Sequence, residues 1–105
     1  MSPAFNHQTL ELTAIPGGLL ADGAALSAIV VAAAGAVGMP AHGPPTVGHG
    51  SGSTVVALLC REGHIVIHTA PAEGLCFVDI AARSPADARK GMEVIARRLG
   101  AAGYV

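Results

Sequence analysis

Aromatic side chains are nearly missing from this 105-residue chain, which has no tryptophan, one tyrosine and two phenylalanines. A core built on stacked rings is thereby excluded. With 51% of the residues apolar, the interior must instead come from Ala, Val, Ile and Leu. Charge is scarce too, with seven acidic against six basic residues. Nucleic acid and anionic membrane surfaces both require clustered positive charge, so neither is expected as a partner. The basic residues group only at Arg89, Lys90, Arg97 and Arg98, which read as one face of a surface helix. Cys60 and Cys76 are too few for a disulfide framework and sit in apolar runs, as buried thiols of a cytoplasmic protein do. The longest apolar stretch, Ala24 to Val37, has about 14 residues, short of the roughly 20 a membrane span needs. The stretch before it is uncharged or acidic, so no secretory signal is expected. One cytoplasmic domain over residues 1–105 follows.

What is present has a clear order. Leu10, Leu12 and Ala14 alternate with Thr9, Glu11 and Thr13, the period of a half-buried strand, closed by Pro16-Gly17-Gly18. Asp22 can cap a helix running to about Ala36, ended by Gly35 and Gly38. Its nearly all-aliphatic content predicts a helix packed across a sheet. From Met39 to Gly52 the chain is rich in Gly, Pro and His and predicts a loop or an irregular edge strand. Three strands follow, Ser53 to Cys60, His64 to Thr69 and Leu75 to Ala81, with breaks short enough for antiparallel hairpins. Ser84-Pro85-Ala86-Asp87 predicts a helix start with Ser84 as N-cap and Pro85 in the first helical position. Ala88, Met92, Ile95 and Leu99 form its apolar stripe, and Gly100 stops it. The sum is an α+β two-layer sandwich, an antiparallel sheet with two helices on one face. The other face carries apolar residues with nothing in the chain to cover them, so a second subunit is expected there.

The chemistry-bearing run is Glu62-Gly63-His64-Ile65-Val66-Ile67-His68-Thr69-Ala70-Pro71, followed by Gly74 and Val78-Asp79-Ile80. His64 and His68, four apart in a strand, share a face with Val66. They could ligate a metal with His42 or His49, or His68 could be hydrogen-bonded in a pocket inherited with the fold. Asp79 lies among Phe77, Val78 and Ile80, where a carboxylate needs a partner such as His68 or a backbone amide. Arg83 can bind a carboxylate or phosphate, or stand solvated before the helix. Gly63 also suits a tight hairpin that wants a positive φ. The Gly48, Gly50 and Gly52 loop is no phosphate cradle, because it lacks a Gly-Lys-Ser/Thr ending and opens no helix.

This run and its flanks, about residues 7 to 100, resemble the prokaryotic S-adenosylmethionine decarboxylase proenzymes. In that family the glutamate is followed by a serine, whose hydroxyl attacks the glutamate carbonyl. The chain is then cut, and the serine becomes a pyruvoyl group that serves as an electron sink for decarboxylation on the way to spermidine. The resemblance puts Gly63 at that serine, so the pyruvoyl cofactor cannot form there. It puts Arg83 at the family's proton-donating cysteine and Ala72 at its ribose-binding glutamate, with Glu73 a neighbouring substitute. It puts Val55 at the processing serine, with Ser53 two residues earlier on the same face. Glu62, His68, Thr69, Pro71 and Asp79 are retained.

The resemblance thus implies a catalytically silent relative. His68, Glu62, Gly63 and Ser53 mark the former catalytic positions, and Glu73, Asp79 and Arg83 are candidate ligand contacts. Such a protein would bind an S-adenosylmethionine-like small molecule, or pair as a homodimer or with an active paralogue and regulate it. The alternatives are altered chemistry at the old pocket using His68, Cys76 and Asp79, and a purely structural dimer.

Overall fold

The computed structural model describes residues 3–100; Met1, Ser2 and residues 101–105, with Tyr104, lie outside the described residues. Strand β1 (Phe5–Leu12) is followed by a one-turn helix α1 (Gly17–Leu20) and helix α2 (Gly23–Val37). Strands β2 (Thr46–Gly50), β3 (Ser53–Cys60), β4 (Gly63–Ala70) and β5 (Leu75–Arg83) come next, with a 3-10 turn at Pro71–Glu73, and helix α3 (Ala88–Arg98) closes the described chain. The sheet order is β1-β5-β4-β3-β2 and every pairing is antiparallel. The expected α+β architecture is present, with α2 and α3 packed on one face of the sheet.

Alternation decides what each face carries. Val56, Leu58 and Cys60 of β3, Ile65 and Ile67 of β4, and Cys76, Val78, Ile80 and Ala82 of β5 are buried beneath the helices. Leu26, Ile29, Val30, Ala33 and Ala34 of α2 meet them, as do Met92, Ile95 and Ala96 of α3. Small side chains let helix and sheet approach closely, which is how a core with so few rings fills. Both thiols belong to this layer: burial raises the Cys60 pKa and pushes that of Cys76 up to about 11. Arg89, Lys90, Arg97 and Arg98 are exposed, as their helical spacing implies.

Several boundaries depart from the sequence reading. β1 begins at Phe5 and stops at Leu12; Ala14, with φ 59°, turns the chain so that the Ile15 N–H donates to the Gly74 carbonyl at 3.0 Å. Residues 17–20 are helical rather than a bare stop, and the Leu20 carbonyl accepts the buried Thr69 hydroxyl at 2.8 Å. Asp22 caps α2 through the Ala25 N–H, but Gly35 lies inside the helix and Gly38 alone ends it, in the left-handed conformation that favours glycine. The Gly/Pro/His segment contains an edge strand, β2, exposed along its length.

The start of α3 is also corrected. Ser84 does not cap it, and Pro85 is not its first residue. β5 runs on to Arg83, and the Ser84 N–H still pairs with the Ala4 carbonyl at 2.8 Å, so the chain there belongs to the sheet. Asp87 is the cap; its carboxylate accepts the Arg89 N–H at 3.0 Å, and that bond, with the nearby Arg89 side chain, lowers its pKa. A second cap comes from β1, where Asn6 Oδ1 accepts the Ala88 N–H at 2.8 Å and Asn6 Nδ2 donates to the Ala86 carbonyl. No helix among the described residues is long and apolar enough to cross a membrane.

Candidate functional site

The hairpin joining β3 to β4 sets the first part of the site. Cys60 pairs with Gly63, so Arg61 and Glu62 form a two-residue turn. The positive φ lies at Glu62 (57°), not at Gly63 as the sequence suggested. Gly63 is a strand residue paired to Ala82 of β5. Its lack of a side chain has another cause: an added Cβ would press into the Ala81 carbonyl oxygen and would lie 2.6 Å from Met39 Sδ. The Glu62 carbonyl, the group a serine at 63 would have to attack, accepts the Arg83 N–H at 3.1 Å.

Around this turn opens a cleft of about 810 Å³. Its walls come from the segment after α2 (Met39, Pro40, His42), from Arg61 and Glu62, and from Arg83 to Ala86. Ladder bonds hold the first wall in place, with the His42 N–H on the Leu59 carbonyl at 2.9 Å and the Arg61 N–H on the Pro40 carbonyl at 2.8 Å. The Arg83 guanidinium carbon stands 5.5 Å from the Phe5 ring centroid, a cation–π contact that aims this long side chain.

The second part lies on the sheet face away from the helices. His7 sits opposite Ala81, which sits opposite His64, and both histidines flank Asp79 one row along. A carboxylate only accepts, so His7 donates through Nε2 to Asp79 Oδ1, at 2.6 Å. His64 Nε2 approaches the same oxygen at 3.5 Å. The partners of Asp79 are therefore His7 and His64, not His68. His68 faces Val55 on one side and Phe77 on the other, its ring 6.3 Å from the Phe77 ring and tilted by 48°.

The structure brings Glu62, Gly63 and Arg83 together at the hairpin and places His68 and Asp79 on the open face. Ser53 and Glu73 lie at the opposite end of the sheet, Ser53 paired to Gly50 and Glu73 in the 3-10 turn after β4. Cys76 is fully buried under the helices, so the sheet itself separates it from His68 and Asp79, against joint chemistry by the three. His49 points to the helix side, where its Nδ1 meets the Thr54 hydroxyl at 3.2 Å, and His42 lines the cleft; neither joins His64 and His68. Among the described residues no three His, Cys, Asp or Glu side chains are grouped to hold a metal ion. His7 and Arg61 were not singled out from sequence. Extending the β1 alternation back to Phe5 would have placed His7 beside Asp79; Arg61 had no signal beyond its place in the turn.

Position 63 does not fit the family's pyruvoyl group. Glycine supplies no hydroxyl, and the Ala81 carbonyl and Met39 occupy the space a side chain would need.

Comparison with known proteins agrees with this frame. The family model described as S-adenosylmethionine decarboxylase matches residues 6–105. The crystal structure of the adenosylmethionine decarboxylase from Aquifex aeolicus VF5 is similar in fold, with a TM-score of 0.83 at 19% identity over 94% of this chain and 82% of that one. No curated protein sequence matches. A five-stranded antiparallel sheet backed by helices, the Glu-Gly-His hairpin and a family match over nearly the whole length agree, and the chain belongs to the S-adenosylmethionine decarboxylase family.

Proposed function

We propose that this chain is a catalytically silent member of its family, one that stays uncut, carries no pyruvoyl group and works in the cytoplasm by binding. The observation that carries the reading is position 63. A glycine there has no oxygen for the acyl shift, and a packed backbone carbonyl beside it leaves no space for the serine that would supply one. The neighbouring Glu62 carbonyl is engaged by the Arg83 N–H instead of standing free.

What it binds is a nucleoside-type ligand and a second sheet. His68 beside Phe77 offers a ring pair for an adenosyl group on the open face, and the Asp79 carboxylate one row along suits a ligand cation. Val55, Val66 and Phe77 make the same face partly apolar, and Leu59, 66% exposed, extends it. A second copy, or an active Ser-bearing relative in polyamine synthesis that this chain would regulate, covers that surface.

The test has three parts. Intact mass spectrometry should give one full-length species, and a ketone-reactive reagent should label nothing. Calorimetric titration with S-adenosylmethionine should show binding to the parent protein that weakens in His68→Ala. Light scattering at micromolar concentration should report a dimer. A fragment beginning at residue 63 refutes silence; failure of the parent to bind any adenosyl compound refutes the ligand reading and leaves an interaction protein.

A further inference from the structure

Three of the chain's five histidines share the sheet face away from the helices, His7 on β1 and His64 and His68 on β4. Asp79 stands between two of them, its Oδ1 2.6 Å from His7 Nε2 and 3.5 Å from His64 Nε2. One carboxylate balances one imidazolium, and His7, at charge-assisted hydrogen-bond distance, is the ring placed to be balanced. Protons on His64 and His68 then add charge that nothing nearby offsets. The described residues give His68 no ion pair. Its cross-strand neighbours are Val55 and Phe77, and Glu11 lies beyond Phe77 on the edge strand. Arg83 stands on the same face at the other end of β5, over the Phe5 ring. Arg61 and Glu62 in the β3–β4 turn carry opposite charges, and the charged side chains of α3 lie behind the sheet.

We infer that the open face is a pH-controlled contact for a second copy of this chain, formed while His64 and His68 are neutral and released when they take up protons. The inference rests on the proposed dimer and adds its regulation. The ends of the face favour a second copy as the occupant. Arg83 marks one end and Glu11 the other, so a twofold axis running across the strands lays each copy's Arg83 end over the other's Glu11 end. While the face is open, water solvates an imidazolium. Beneath a second sheet the same cation loses that water and is left among Val55, Val66 and Phe77, which is costly without a counter-charge. His68 shares the Glu11 end, so its proton also comes to face the partner's Arg83. The twofold axis doubles every such charge. Histidine changes charge between pH 8 and pH 5. Because covering the face disfavours the protonated rings, the dimer is intact above that range and is lost as pH falls through it.

Sedimentation equilibrium of the full chain at about pH 8 and about pH 5.5 tests this, with circular dichroism at both values to follow the fold. One ring per copy that must stay neutral raises the dimer dissociation constant about a hundredfold between those values, roughly tenfold from each copy. The parent should show at least that ratio while keeping a folded spectrum. His64→Gln and His68→Gln should each lower the ratio at least about tenfold, and the double variant should hold it within about threefold. Asp79→Asn should raise the ratio, because His7 then loses its counter-charge as well. His42→Gln, which removes an imidazole outside this face, should leave the ratio unchanged. A monomer at pH 8 overturns the second-copy reading and this inference with it. A dimer of equal strength at both pH values, unfolding in place of dissociation, or a double variant that keeps the parent's ratio overturns the pH control alone.

Discussion

Replacing Gly63 by alanine asks whether crowding at the hairpin is real, and Gly63→Ser asks whether the lost hydroxyl can be restored. The new Cβ meets two neighbours of different character. Met39 Sδ, 2.6 Å away, belongs to a flexible side chain that can swing aside. The Ala81 carbonyl cannot, because β5 is paired on both sides, to β1 and to β4. Overpacking commonly costs about 1–3 kcal/mol, and collision with fixed backbone sets this case near ~3 kcal/mol. Removing glycine's backbone freedom returns roughly 0.5–1 kcal/mol. The net loss is about 2 kcal/mol, equivalent to a melting temperature roughly 8–16 °C lower for a domain of this size. Urea denaturation of parent and Gly63→Ala measures it directly. Adding Met39→Ala separates the two contacts: the double variant should be more stable than the sum of the single losses implies, by about 0.5–1 kcal/mol, with the Ala81 share remaining. Gly63→Ser should show the same destabilisation and remain one full-length chain by mass spectrometry. Stability of Gly63→Ala within about 0.5 kcal/mol of the parent would refute the crowding argument, and self-cleavage of Gly63→Ser would refute the proposal that silence is built into the surroundings.

Asn6→Ala should cost about 1–2 kcal/mol in urea denaturation, because the Ala88 N–H and the Ala86 carbonyl lose their partner at the start of α3. Cys76 gives a pH signature: its folded pKa, about 11, lies above the ordinary 9.0, so its contribution is intact below pH 9 and is lost as pH rises towards 11. The loss amounts to about 2–3 kcal/mol by linkage, and Cys76→Ala should flatten that slope in melts between pH 8 and 11. Phe77→Asp should keep the circular-dichroism spectrum of the folded chain and shift light scattering from dimer to monomer, because Phe77 is 37% exposed on the open face; the melting temperature should fall by the stabilisation that association supplied. An unchanged dimer would place the interface elsewhere.

The layers were legible because they rest on periodicity. Alternation in Ser53–Cys60, His64–Thr69 and Leu75–Ala81 is a direct record of which side meets the helices, and the aliphatic content of Gly23–Val37 requires it to lie on a sheet. Boundaries were legible only where the signal was local. Asp22 caps the helix that follows it, and Gly38 ends it. Ser84 carries an equally good local signal that tertiary pairing overrides: the Ala4 carbonyl claims its N–H, and the cap passes to Asp87 and to Asn6, 82 residues away from Ala88. A cap supplied by a distant strand leaves no mark in the sequence around the helix.

The candidate site was harder to read for a related reason. Sequence proximity groups Glu62, Gly63 and His68, and the strand pairing divides them. Gly63 lies on the helix side of β4 in register with Ala82, whereas His68, five residues on, lies on the opposite face in register with Phe77. An odd separation along a strand always has this consequence, since successive side chains alternate. What gathers around the turn instead is drawn from three remote stretches, the end of α2, the hairpin and the end of β5, joined by backbone bonds such as Arg83 to Glu62. The departures at 63 and 83 therefore act in one place. The resemblance implies a serine at 63 and a cysteine at 83, where this chain has glycine and arginine, and the Arg83 N–H bond to the Glu62 carbonyl sets both positions beside one turn.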